Sequence, residues 1–141
     1  MSILIAFDPG RYKCGLIIAN IKTNHVLKAN VIKVSQVYNL INRWNREFSV
    51  DLIVIGDGTT SNDWIDNLKK IAPVQIVDET ESTLQSRYRY WELSPPICWI
   101  KWIPRGLLVP PENLDAVAAL VILERYLGRK LEWNGPYIFK N

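Results

Sequence analysis

Three short apolar runs in this chain each end on an acid. "ILIAFD" (3–8) stops on Asp8 before Pro-Gly, "VDLIVIGDG" (50–58) reaches Asp57, and "VQIVDE" (74–79) ends on Asp78 and Glu79. Continuous apolar runs of this length, bounded by turn residues, read as buried strands. Strands covered on both faces belong to parallel sheets, and parallel neighbours need helical crossovers. The intervening segments supply them. "SQVYNLINRWNREFS" spaces Val37, Leu40, Ile41 and Trp44 as a helix, with Ser35 as its expected N-cap. "NDWIDNLKKIA" spaces Trp64, Ile65, Leu68 and Ile71 likewise, and Pro73 is expected to end that helix.

Ahead of these units, "GLIIANI" (15–21) and "HVLKANVIKV" (25–34) follow the first run after short turns, which suits antiparallel hairpins. After Glu79 the spacing predicts a helix through "TESTLQSRYRYWEL", a proline-punctuated stretch over 94–111, and a last helix through "ENLDAVAALVILERYLG" that closes at Gly128. The tail from 129 shows no pattern. The order βββ-α-β-α-β-α-α implies one α/β domain over 1–141. Its five-stranded mixed sheet has a three-strand antiparallel meander plus two parallel strands, flanked by helices. Right-handed crossovers make strands one, four and five parallel neighbours. Their carboxyl ends then share an edge, where open α/β sheets hold ligands. Asp8, Asp57, Asp78 and Glu79 arrive there together.

Composition excludes several classes. The 141 residues are 48% hydrophobic and 22% charged, which describes a globular chain with a core of its own. No apolar run approaches the roughly 20 residues of a membrane-spanning helix, and "SILIAF" is no secretory leader. Cys14 and Cys98 form no metal-spaced pair, so they read as reduced thiols and the expected compartment is the cytoplasm. A net charge of +3 leans slightly toward nucleic acid.

Asp115 is a further acid, near the start of the last helix. Leu114, Val117, Ala118 and Val121 are spaced to form the sheet-packing face, and Asp115 lies at its border. Glu124 lies about half a turn away round the helix and is set aside. Each acid has an ordinary explanation alone: a turn residue, a helix cap, a partner for the positive end of a helix. Together, clustered carboxylates repel unless a cation sits among them. Oxygen-only donors suit Mg²⁺ or Mn²⁺. Two such ions about 4 Å apart would activate water against a phosphodiester.

"AFDPGRYKCGLIIA", "VDLIVIGDG", "VDETEST" and "NLDAVAALVILERYLG" resemble, in this order, the YqgF/RuvX family of Holliday-junction resolvases. The resemblance implies a ribonuclease H-like fold and a Mg²⁺- or Mn²⁺-dependent nuclease acting on branched DNA or ribosomal RNA precursors. It implies Asp8, Glu79 and Asp115 as catalytic, metal-holding acids, with Asp57 as an additional candidate. Junction resolution needs two active sites, which implies a homodimer. The chain departs from the family at Thr80, where the family carries Arg after its Asp-Glu pair, and at the "GDGTTSND" turn.

Basic residues could meet the phosphates. Lys13, in the turn close to Asp8, and Arg87 and Arg89, in "SRYRYWELSPPICWIKWIPRG", are the expected nucleic-acid contacts. The aromatics of that segment read first as core or partner packing. His25, at a hairpin turn opposite the acidic edge, reads as a solvated turn residue. Three functions compete. They are a metal-dependent nuclease, a catalytically weak or inactive binding module of the same fold, and a phosphotransferase of the actin and sugar-kinase type. The last closes two domains on a nucleotide, and this chain supplies one.

Overall fold

Alternation decides how this chain layers. The computed structural model describes residues 2–58, 61–78, 82–93 and 115–133. β1 (Ile3–Asp8), β2 (Lys13–Asn20) and β3 (His25–Lys33) form the antiparallel meander. α1 (Val37–Phe48), β4 (Leu52–Gly56), α2 (Ser61–Leu68) and β5 (Val74–Val77) follow, then α3 (Ser82–Leu93) and α4 (Asp115–Leu127). The sheet order is β3-β2-β1-β4-β5, with β1, β4 and β5 parallel. This is the mixed sheet expected from the sequence.

Odd residues of β1 and even residues of β2 point to one face. There Ile5, Phe7, Leu16, Ile18, Ile53 and Ile55 bury against Val37, Leu40, Ile41 and Trp44 of α1 and Trp64 and Leu68 of α2. Phe7 and Trp64 meet edge to face at 5.0 Å. The other face is lined by smaller residues, with Ala6, Ala19 and Ala29 beside Leu4, Ile17 and Val54. α4 lies on it through Ala116, Ala119, Leu120 and Leu123.

Three expectations are corrected. The sheet-packing stripe of α4 is not the one through Val117, Ala118 and Val121: Val117 instead packs with Tyr90 and Trp91 of α3. α4 is apolar nearly all round because it is covered by the sheet and by α3, so periodicity alone does not say which stripe meets which neighbour. Leu114 lies outside the described residues. Ser35 does not cap α1. It sits inside a 3₁₀ turn, Val34–Gln36, which satisfies the Val37 N–H on the Val34 carbonyl. Pro73 does not end α2 either. The helix stops at Leu68, and Pro73 offers its carbonyl to Ile53 N–H at 2.8 Å, opening the β4–β5 pairing. Gly128 closes α4 as expected, donating to the Glu124 carbonyl at 2.8 Å.

The unpatterned tail also has a place. Leu131 is buried under α4's face of the sheet, and Glu132 pairs with the β2–β3 turn through Val26 N–H (2.9 Å) and the Asn24 carbonyl (2.8 Å). His25 is therefore more than a solvated turn residue. Its Nε2 lies 2.9 Å from Glu132 and its Nδ1 2.6 Å from the Thr23 carbonyl.

Candidate functional site

Asp8 is the last residue of β1 and stands opposite Gly15 of β2. Its position follows Leu4 and Ala6, so it belongs to the face that α4 covers. Gly15 lies on the same face, and a Cβ built there would fall 1.8 Å from the Asp115 carbonyl oxygen and 2.8 Å from Ala116 N. The first turn of α4 therefore rests on the bare backbone of β2, at the residue paired with Asp8. The sequence reading assigned no role to Gly15. Its signal was the spacing in "DPGRYKCG", where the second glycine returns to the rung of the aspartate.

Cys14, next to Gly15 in β2, is a buried thiol. Burial pushes the Cys14 thiol above its ordinary value, and the negative charges of Asp8 and Asp115 both push it further up. Cys14 itself belongs to the α1–α2 cluster, across the sheet from the side that Asp8 shares with α4. Cys14 stays a protonated thiol there, with Sγ 3.8 Å from the Gly10 carbonyl.

The other acids are placed differently. Asp57 donates its N–H to the Val77 carbonyl at 3.0 Å, which continues the β4–β5 ladder one rung. In that register it follows Ile53 and Ile55, on the α1–α2 side, opposite in parity to Asp8. Asp78 follows β5 at the same edge, and its carbonyl accepts from Arg125 Nη1 at 2.6 Å. Glu79 and Thr80 lie outside the described residues. Among the described residues no group of three His, Cys, Asp or Glu side chains is close enough to surround an ion.

The expected basic contacts divide. Lys13 is exposed at the start of β2, one turn from Asp8. Arg87 is half-buried, and its buried Nε meets no hydrogen-bond partner among the described residues. Arg89 is drawn inward. It is 12% exposed, and its guanidinium binds Glu124 through Nε (2.9 Å) and Nη2 (3.0 Å), Glu92 through Nη1 (3.1 Å), and the Leu131 carbonyl (2.8 Å). Those partners fix α3, α4 and the tail to one another and leave Arg89 facing protein rather than solvent. Tyr90 and Trp91 are buried, as the packing reading expected, while Trp99, Lys101, Trp102 and Arg105 lie outside the described residues.

A cleft of about 410 Å³ opens between α3 and the C-terminal half of α4, lined by Arg89, Glu92, Glu124, Arg125 and Lys130 among others. It does not coincide with the Asp8–Asp115 region. Its walls are ion pairs that join helices, so the edge rather than the cleft carries the candidate chemistry.

No protein-family model matches the chain, and no curated protein is significantly similar to it in sequence. Solved structures do match. Thermus thermophilus RuvC, determined in complex with a Holliday junction substrate, aligns over 94% of this chain and all of its own, with TM-score 0.53 and 12% identity. A second structure of RuvC from Thermus thermophilus aligns over 92% and 99%, with TM-score 0.46 and 13% identity. An inorganic polyphosphate/ATP-glucomannokinase from Arthrobacter sp. strain KM matches over 62% of this chain and 49% of its own, with TM-score 0.43 and 12% identity. At such identities the likeness speaks to architecture: the chain has the ribonuclease H-like fold that RuvC has.

Proposed function

We propose that this chain is a divalent-metal-dependent nuclease of the YqgF/RuvX type, cutting phosphodiester bonds in branched DNA or in ribosomal RNA precursors. The carrying observation is the contact of the Asp115 turn with Gly15, the residue paired with Asp8. On this reading the contact brings two acids to the carboxyl edge of parallel strands, where repulsion would favour a cation. The donor set fits a hard ion. Both groups are carboxylates, and the nearby Cys14 thiol belongs to the core on the other face of the sheet. Asp8 and Asp115, with Glu79 as the third acid of the proposal, would hold Mg²⁺ or Mn²⁺. Bound there, the ion would activate water and stabilise the leaving oxygen of the phosphodiester.

The chain's own residues do the rest. Asp8 and Asp115 orient what binds between them because β1 and α4 are rigid and packed. Lys13 holds a phosphate beside the edge. Nucleic acid as partner is supported by the shared fold with RuvC, whose structure contains a Holliday junction. A second copy of the chain would supply the second cut of a four-way junction, and the cytoplasm, where a buried free Cys14 stays reduced, is the proposed compartment.

Cleavage of four-way junctions and of structured RNA tests the reading, with Mg²⁺ or Mn²⁺ and with wild type beside Asp8→Asn. Metal-dependent products from wild type, lost by at least a hundredfold in Asp8→Asn, are expected. Tight binding of both substrates without cleavage would contradict the nuclease and leave a binding module of the same fold.

A further inference from the structure

The turn between β1 and β2 carries a side chain that the acidic edge does not use. Tyr12 is 78% exposed, the most exposed of the large apolar side chains among the described residues. A tyrosine ring left so open buries nothing for the fold, although the turn holding it is tightly specified. A Cβ at Gly10 would fall 2.1 Å from the Lys13 carbonyl, so the turn closes only on glycine. The Tyr12 carbonyl accepts from Val34 N–H at 3.1 Å, which ties the tip to the end of β3. Cys14 Sγ sits against the Gly10 carbonyl beneath it.

Cations lie close to Tyr12 in sequence and in strand register. Arg11 and Lys13 flank it, and Lys33 stands opposite Lys13 in the β2–β3 register. All three are exposed, and among the described residues none forms an ion pair with a carboxylate. An open aromatic ring with unpaired cations at the neighbouring positions, on a rigid support, can stack a base while the cations neutralise phosphates. Asp8 pairs with Gly15, so Tyr12 lies three residues further out along the chain from Gly15, about 10 Å at strand rise.

We propose that Tyr12 is a stacking platform for an unpaired nucleobase flanking the bond at the Asp8–Asp115 edge, with Arg11, Lys13 and Lys33 neutralising the neighbouring phosphates. The inference rests on the nucleic-acid reading above and adds a preference to it: single-stranded or unpaired segments over continuous duplex.

The test is binding of a fluorescent 12-nucleotide single strand, as DNA and as RNA, and of a blunt 12-base-pair duplex. The proteins are wild type, Tyr12→Ala, Tyr12→Phe and Lys33→Ala, in chelator so that no cleavage intervenes. Tyr12→Ala is expected to weaken single-strand binding about tenfold with an unchanged salt slope, and duplex binding less than threefold. Tyr12→Phe retains the affinity, since the ring and not the hydroxyl stacks. Lys33→Ala lowers the salt slope for single strands by about 0.7. If wild type binds single strands and Tyr12→Ala binds them equally well, or if Phe fails as Ala does, the platform is wrong while the nuclease reading stands. If wild type binds none of the three, the nucleic-acid reading itself falls, and the platform with it. A melting temperature unchanged in Tyr12→Ala excludes a folding defect as the cause of any loss.

Discussion

The two faces of the sheet are built to different rules. On the α1–α2 face, large rings set the spacing: Phe7, Trp44 and Trp64 fill the layer, and the residues around them are branched aliphatics. On the α4 face the spacing is set by what is missing, with Ala6, Gly15, Ala19 and Ala29 in the sheet meeting Ala116 and Ala119 in the helix. Bulk on the first face supplies stability through buried area. Small residues on the second let backbone approach backbone, and the approach puts Asp115 beside the rung of Asp8. One face holds the fold together, and the other positions the candidate chemistry.

That division can be broken one face at a time. Trp44→Ala should have the largest effect, about 4 kcal/mol of lost stability by urea unfolding, because a ring that is 1% exposed leaves a cavity between α1 and the sheet. The remaining folded fraction should still respond to Mg²⁺, since nothing at the acidic edge has changed. Glu124→Ala should cost about 3 kcal/mol. It strips the largely buried Arg89 guanidinium of two of the four hydrogen bonds it makes among the described residues. It also leaves the Leu131 N–H, 2.7 Å from Glu124 in the native chain, without this acceptor. Here too the metal response should survive, because the cluster joins α3 to the tail.

Gly15→Ala should cost less, about 2 kcal/mol, yet abolish the divalent response. Its Cβ would displace the backbone of Asp115 rather than a side chain able to turn aside. A Gly15→Ala protein that kept its metal response would show that close approach of α4 is not what assembles the edge. The smallest effect is at Glu92. Its carboxyl is held below its usual value of 4.5 by the Lys130 ammonium, 2.8 Å away, with Arg89 adding to it. A depressed carboxylate contributes stability above its unfolded pKa, which is lost as pH falls through the folded one. Lys130→Ala should therefore flatten the loss of stability below about pH 4.5, and by less than about 0.5 kcal/mol at neutral pH because the pair is largely solvated. Acid titration of both proteins by circular dichroism reads it.

Much of this was visible in the residues. The parallel order of strands one, four and five followed from apolar runs that stop on acids and from the helical spacing between them. Asp115 was a candidate from its place near the start of the last helix, and its backbone rests on Gly15, the residue paired with Asp8. What the residues did not show has physical causes. α4 is apolar on the stripe that meets the sheet and on the stripe that meets Tyr90 and Trp91, so its pattern could not rank the two. Arg89 in "SRYRYWE" looks like a phosphate contact until Glu124, 35 residues away, comes into reach. Gly15 looked like a strand residue, since the absence of a side chain matters only once the partner helix is known. Glu79, and Thr80 where the chain departs from the family it resembles, lie outside the described residues.

The most direct measurement is thermal unfolding in chelator and in millimolar Mg²⁺ or Mn²⁺, on wild type, Asp8→Asn, Asp115→Asn and the double variant. If the two carboxylates hold one ion, wild type gains roughly 5 °C at ten times the dissociation constant. Either single substitution should then remove nearly all of that gain, and the double variant no more than either. A wild-type transition indifferent to both ions, or single variants that each lose about half the response independently, would contradict a shared metal centre at the sheet edge.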